Sequence, residues 1–133
     1  MRLNALGIHL LIEMQDCSPI LLDNIDHVRN AMLTAARESG ATILGDKFHK
    51  FSPQGVTGVI AIAESHLTVH TWPEYGFAAA DVFTCGSNCD PHAAASILIR
   101  ELGCKKPQIT EIKRGISVSP RLHKPAMSAA AKG

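Results

Sequence analysis

Residues 56–86 constrain the fold more than any other part of this 133-residue chain. Three runs rich in β-formers follow one another there: "VTGVIAIAE", "HLTVHTW" and "FAAADVFTCG". A single residue separates the first two. Pro73-Glu74-Tyr75-Gly76, a strong turn sequence, separates the second from the third. Links this short join only antiparallel neighbours, because a parallel crossover needs a dozen residues or more. Around this meander, "LGIHLLIEMQ" reads as a buried first strand, "ATILGDKFHKF" as a partly exposed second strand and "PQITEIKRG" as the last.

Two segments carry a helical period. In "SPILLDNIDHVRNAMLTAARESG", Leu21, Ile25, Val28, Met32 and Ala35 recur on one face, with Ser18-Pro19 as a start and Gly40 as a stop. In "DPHAAASILIRELG", Asp90 caps, Pro91 fits the first turn and Gly103 follows the end. Six strands with two amphipathic helices predict an α+β fold: a two-layer α/β sandwich, an antiparallel sheet with helices on one face. The other face stays partly apolar, so the expectation is dimerisation into a larger sandwich. Residues 1–116 make one domain. Residues 117–133, small and polar with Pro120 and Pro125, read as a disordered tail.

With 46% apolar residues and a net charge of +1, the composition fits a soluble globular protein rather than a nucleic-acid binder. No basic-then-apolar leader and no apolar run of about 20 residues is present, so the expectation is a cytoplasmic protein with no membrane partner. Cys17, Cys85, Cys89 and Cys104 are scattered, which does not suggest a disulfide framework. The lone "CGSNC" lacks the second pair a zinc site needs.

Reactive side chains crowd into "AIAESHLTVHTWPEYG". His66 and His70 would share a helix face, but on a strand four residues span ~13 Å, too far for one metal. Ser65, His70 and Asp81 have the right types for a hydrolase triad, yet no GxSxG elbow surrounds the serine. Pyridoxal phosphate needs a lysine beside a phosphate cradle, and Lys47, Lys50, Lys105, Lys106 and Lys113 all sit in polar contexts. Glu64-Ser65 offers a different chemistry. The serine hydroxyl can attack the Glu64 carbonyl, moving the acyl group from nitrogen to oxygen. β-Elimination then breaks the ester, and hydrolysis of the dehydroalanine leaves a ketone at a new N-terminus. This needs a base and a hydrogen-bond donor, for which His70 and Thr57 are candidates. Ser65 and His70 are an odd number apart, so a regular strand would point them to opposite faces, and this chemistry requires a turn or bulge at the cleavage point.

"ESHLTVHTWPEYGFAAADVFTCG" resembles the processing and active-site signature of the short, prokaryotic S-adenosylmethionine decarboxylases, and "ESGATILGDKFHKFSPQGVTG" upstream is similar too. The likeness runs from about Leu6 to Arg114. It implies a proenzyme that cuts itself at the Glu64–Ser65 bond into a β chain, 1–64, and an α chain, 65–133, headed by a pyruvoyl group derived from Ser65. By the same resemblance, His70 is the processing base and Cys85 the proton donor. Thr57 stands where the family carries serine, with the hydroxyl kept. Phe51, Trp72 and Glu74 match the nucleoside pocket, and Glu13 matches a further carboxylate there. The substrate amine would form a Schiff base with the ketone, and the product is the aminopropyl donor of spermidine synthesis. No metal and no pyridoxal phosphate is implied. A dimer whose two protomers both contribute to each site is. Two alternatives stay open: a pyruvoyl-dependent arginine or ornithine decarboxylase on the same fold, and a processing-dead binding or regulatory subunit.

Overall fold

In a computed structural model describing residues 5–85 and 88–116, six strands form one sheet. They are β1 (Gly7–Gln15), β2 (Thr42–Lys50), β3 (Val56–Ala63), β4 (Ser65–Trp72), β5 (Phe77–Cys85) and β6 (Lys106–Arg114). Their order is β2-β3-β4-β5-β1-β6, and every neighbouring pair is antiparallel. The expected meander is β3, β4 and β5. The first strand inserts between the fifth and the sixth.

Alternation along the strands sorts the side chains onto two faces. Leu10, Ile12 and Met14 of β1, Val56 and Ile60 of β3, Leu67 and Val69 of β4, and Ala78 and Val82 of β5 are fully buried. Two helices cover that face, α2 (Ile25–Glu38) and α3 (Pro91–Glu101), contributing Val28, Met32, Ala35, Ala36, Ala94, Ala95 and Leu98. Each fully buried Leu, Ile or Val contributes about 1.5–3 kcal/mol, and a one-residue slip in register would turn a whole set to water. The register is therefore strongly fixed. The opposite face carries the remaining residues, among them His9, Leu11, Glu13, Thr57, His66, His70 and Asp81.

The first helical segment departs from expectation. It is two helices, a one-turn α1 (Pro19–Leu22) and α2, broken at Asp23-Asn24. Asn24 adopts an extended conformation and its side chain accepts from the His27 N–H at 3.0 Å, capping α2. Asp23 is held by the β2–β3 connection instead: it accepts from Gly55 N–H at 2.9 Å and pairs with Lys50 at 3.1 Å. The break shifts the helical phase, so that Leu22 rather than Leu21 is buried. The second helix keeps the expected limits, with Asp90 accepting from the His92 and Ala93 N–H groups. The tail expected to be disordered lies outside the described residues. None of the described helices is long and apolar enough to cross a membrane.

Candidate active site

The β3–β4 hairpin turns at Glu64, after a cis Ala63–Glu64 peptide, and Ser65 emerges with φ of 107°. That left-handed conformation is rare for a residue with a side chain and costs on the order of 1–3 kcal/mol. Ser65 pairs with Ile62 on one side and Thr84 on the other. Cys85 follows Thr84 and pairs with Gly7 of β1. A Cβ at Gly7 would stand 2.4 Å from the Thr84 carbonyl oxygen and 2.8 Å from the Cys85 sulfur. Only glycine lets β1 lie that close to the thiol. Glu64, Ser65 and Cys85 thus gather at one end of the sheet.

Thr57 and His70 meet elsewhere. They are direct cross-strand partners, with Thr57 Oγ1 and His70 Nδ1 3.0 Å apart on the open face. Pairing from Ser65 to Trp72 runs without a shift against β5, and the only turn lies before Ser65. His70 is therefore five residues further along the strand, about 16 Å away within the same chain. Its row reads His49, Thr57, His70, Ala79, Glu13, Gln108 across the sheet. Ala79, between His70 and Glu13, is the smallest member of that row.

Trp72 ends β4 with its ring 5.5 Å from that of Phe77 and 6.4 Å from that of His70. Phe51 lies at the same end of the sheet, edge-on to His49 at 4.6 Å. Both aromatics are well exposed, at 39% and 46%, so neither is a core residue. Glu74 sits in a 3₁₀ turn, Pro73–Tyr75, and lines a groove of about 350 Å³ with Pro19, Ile20, Asp23, Gln54 and Pro73. Glu13 lines a separate cleft of about 230 Å³ against β6. A single chain does not bring these two carboxylates into one cavity.

At the centre of the open face lies a cluster that sequence reasoning missed. Asp81 accepts from the Thr68 hydroxyl, lies 2.7 Å from His9 Nε2 and 3.5 Å from His66 Nε2. Arg114 donates to His9 Nδ1 at 2.8 Å and lies over the Phe83 ring, against which His9 stacks. Burial alone would raise the Asp81 carboxyl, but the Thr68 and His9 hydrogen bonds and the nearby His66 outweigh it and hold it below the usual range. Among the described residues, His9, His66 and Asp81 are the one group whose ligand atoms lie close enough to share a metal. Arg114 opposes that use. A guanidinium only donates, so His9 Nδ1 accepts and the proton sits on Nε2, where a metal would need the lone pair. The only sequence signal for this cluster was alternation on β1, β4 and β5, and alternation does not say which strands are neighbours. The triad of Ser65, His70 and Asp81 is not assembled. Cys89, the partner of Cys85 in "CGSNC", is 3.3 Å from the Ser39 hydroxyl, and burial pushes its thiol up.

The sequence model of the S-adenosylmethionine decarboxylases matches residues 8–115. The chain belongs to the S-adenosylmethionine decarboxylase family. It is 54% identical over 112 residues to an S-adenosylmethionine decarboxylase proenzyme of Thermodesulfovibrio yellowstonii, covering 84% of this chain and 83% of that one. A proenzyme of the same name from Carboxydothermus hydrogenoformans is 49% identical over 116 residues, 87% of this chain and 91% of its relative. The crystal structure of the adenosylmethionine decarboxylase from Aquifex aeolicus superposes with a TM-score of 0.82 at 30% identity, covering 92% of this chain and all of that one. The α+β sandwich with an antiparallel six-stranded sheet is thus a decarboxylase fold of this family.

Proposed function

We propose that this chain cuts itself between Glu64 and Ser65 and then decarboxylates S-adenosylmethionine. The observation that carries the reading is Ser65, held with φ of 107° at the β3–β4 turn and in register beside Thr84-Cys85. Strain at that residue is relieved when the peptide bond is exchanged for an ester and then lost. The relatives named as proenzymes support self-processing. Cleavage there leaves β1, β2 and β3 in residues 1–64 and β4, β5 and β6 in residues 65–133. Because β1 sits between β5 and β6, the fragments interleave and stay together.

A pyruvoyl group made from Ser65 supplies an electron sink for the pair released as carbon dioxide leaves. The residues around Ser65 fit such a group. Cys85 stands one residue beyond Ser65's cross-strand partner and is the proposed proton donor to the substrate carbon. Gly7 keeps the space beside its sulfur open. Glu74 is the proposed acceptor for the ribose hydroxyls, with Trp72 and Phe51 as flat surfaces for adenine and the sulfonium. Cation–π contact there is worth about 0.5–2 kcal/mol. Glu13 is a further carboxylate of the pocket.

The base is the residue that a single chain cannot supply, since His70 lies about 16 Å from its own Ser65. A second copy packed on the open face, with its Thr57–His70 pair brought to Ser65 of the first, would supply it. Leu11, Val59 and Ile112, each close to 40% exposed, are apolar groups on that face and support such a contact. Intact mass is the test. Wild type should yield fragments 1–64 and 65–133, the second blocked by a ketone, and Ser65→Ala should stay whole. A wild-type chain that stays whole yet releases carbon dioxide from S-adenosylmethionine would sink the self-cleavage reading. Faster release from arginine or ornithine at equal concentration would overturn the substrate alone.

A further inference from the structure

Two cysteines outside the proposed chemistry face each other across the end of the sheet. The β1–β6 register closes with Gln15 opposite Lys106, and Cys17 and Cys104 each lie two residues beyond it, past the left-handed Asp16. Backbone hydrogen bonds on either side of the cysteines hold the two segments together: Lys105 N–H donates to Asp16 O at 3.2 Å and Ser18 N–H to Leu102 O at 3.2 Å. The two thiols donate to adjacent carbonyls of β1, Cys17 to Met14 O at 3.4 Å and Cys104 to Gln15 O at 3.2 Å. Both side chains pack against the same core, Cys17 buried and Cys104 half-buried. Burial, then the Cys104 sulfur beside it and Asp16, push the Cys17 thiol up to about 12, as expected for two sulfurs in close contact.

We infer that Cys17 and Cys104 are a disulfide-forming pair that can join the two fragments of the processed protein covalently. The joining rests on cleavage at Ser65, which leaves Cys17 in 1–64 and Cys104 in 65–133; the bridge itself does not. A small-molecule disulfide is the oxidant. Cys104, the more exposed, attacks it first and releases one small thiol. The Cys17 sulfur then displaces the second, so one protein S–S bond forms as the oxidant's S–S bond breaks. The oxidant leaves as two thiols carrying the two protons and two electrons. In a reducing compartment the resting form is the thiol pair. The Cys17 N–H also donates to Gly76 O at 2.8 Å, so the bridge would anchor the turn that carries Glu74.

The experiment treats the purified full-length protein with oxidised glutathione, blocks remaining thiols with N-ethylmaleimide and runs intact mass and a denaturing gel without reductant. We expect one species containing both fragments, lighter than their sum by two hydrogens and separated by dithiothreitol. Peptide mapping should link Cys17 to Cys104. Cys104→Ser, a change at a half-exposed site, should leave the fragments separate, whereas Cys89→Ser should not. Full alkylation of Cys17 and Cys104, a glutathione adduct that never resolves, or a bridge through another cysteine would overturn the pair. If the chain proves uncut, the same loss of two hydrogens in a single 133-residue chain upholds the bridge and removes only the joining of fragments.

Discussion

The two ends of β4 differ in kind. At its start, Ser65 has a left-handed φ and stands beside a thiol that only Gly7 leaves room for. Towards its other end, His70 sits in regular sheet, hydrogen-bonded to Thr57 and followed by exposed aromatic surface. One end holds the proposed nucleophile, and the other holds the proposed base. On the proposed roles, these would be two complementary half-sites, about 16 Å apart within one chain. A symmetric pair of copies would turn them into two whole sites.

The most drastic way to break that comparison is complementation. His70→Ala alone should remain uncut, and Ser65→Ala alone should remain uncut. Co-expressed with different tags and purified as mixed pairs, they should show cleavage of the His70→Ala chain by the partner's intact imidazole. If verified mixed pairs stay uncut, the half-sites are not shared. Cys85→Ala sharpens the first half-site: the chain should still cut itself, while carbon dioxide release falls by about 10²–10⁴-fold if proton donation is the thiol's whole role. Unchanged turnover would reduce Cys85 to a packed strand end.

Gly7→Ala probes the same half-site by packing. The added methyl meets the Thr84 carbonyl and the Cys85 sulfur, and overpacking of this kind costs about 1–3 kcal/mol. A melting curve should shift down and Cys85 should lose activity with it; a neutral result would mean that β1 can move away freely. At the aromatic end, Glu74→Gln should raise KM by roughly tenfold with kcat kept, since one charge-assisted hydrogen bond weakens. A fall in kcat at constant KM would place Glu74 in the chemistry instead.

The smallest effect lies between the half-sites. The folded Asp81 carboxyl is held below its usual range, so its contribution is present above the unfolded value near 4 and is lost as pH falls through the folded one. Asp81→Asn should therefore cost about 1 kcal/mol at neutral pH. Denaturant melts should show the gap to wild type closing below about pH 4. A gap that widens in acid would reverse the sign of that interaction.

Much of this was legible in the chain. Short links fixed β3, β4 and β5 as an antiparallel meander, and Asp90 with Gly103 bounded α3. The Glu64-Ser65 pair stood out because its chemistry is local to one peptide bond. The parity of Ser65 and His70 was legible too: a turn or bulge was expected at the cleavage point, and the chain turns there, at Glu64, before a strand that is regular from Ser65 to Trp72. The long helix was misjudged at Asp23-Asn24, where a contact to Gly55, 32 residues away, overrides a periodicity that runs straight through.

The sequence by itself determined what is local: strand and helix periods, caps, turns and the Glu64-Ser65 pair. These depend on neighbours within a few residues, and alternation or helical spacing records them directly. Tertiary structure alone decided who stands beside whom. The insertion of β1 between β5 and β6 brought Gly7 to Cys85, His9 to Asp81 and Cys17 to Cys104, contacts separated by 72 to 87 positions. Strand order follows from how the apolar faces of β1, β3, β4 and β5 jointly cover one helical layer, and no single strand's pattern contains that information.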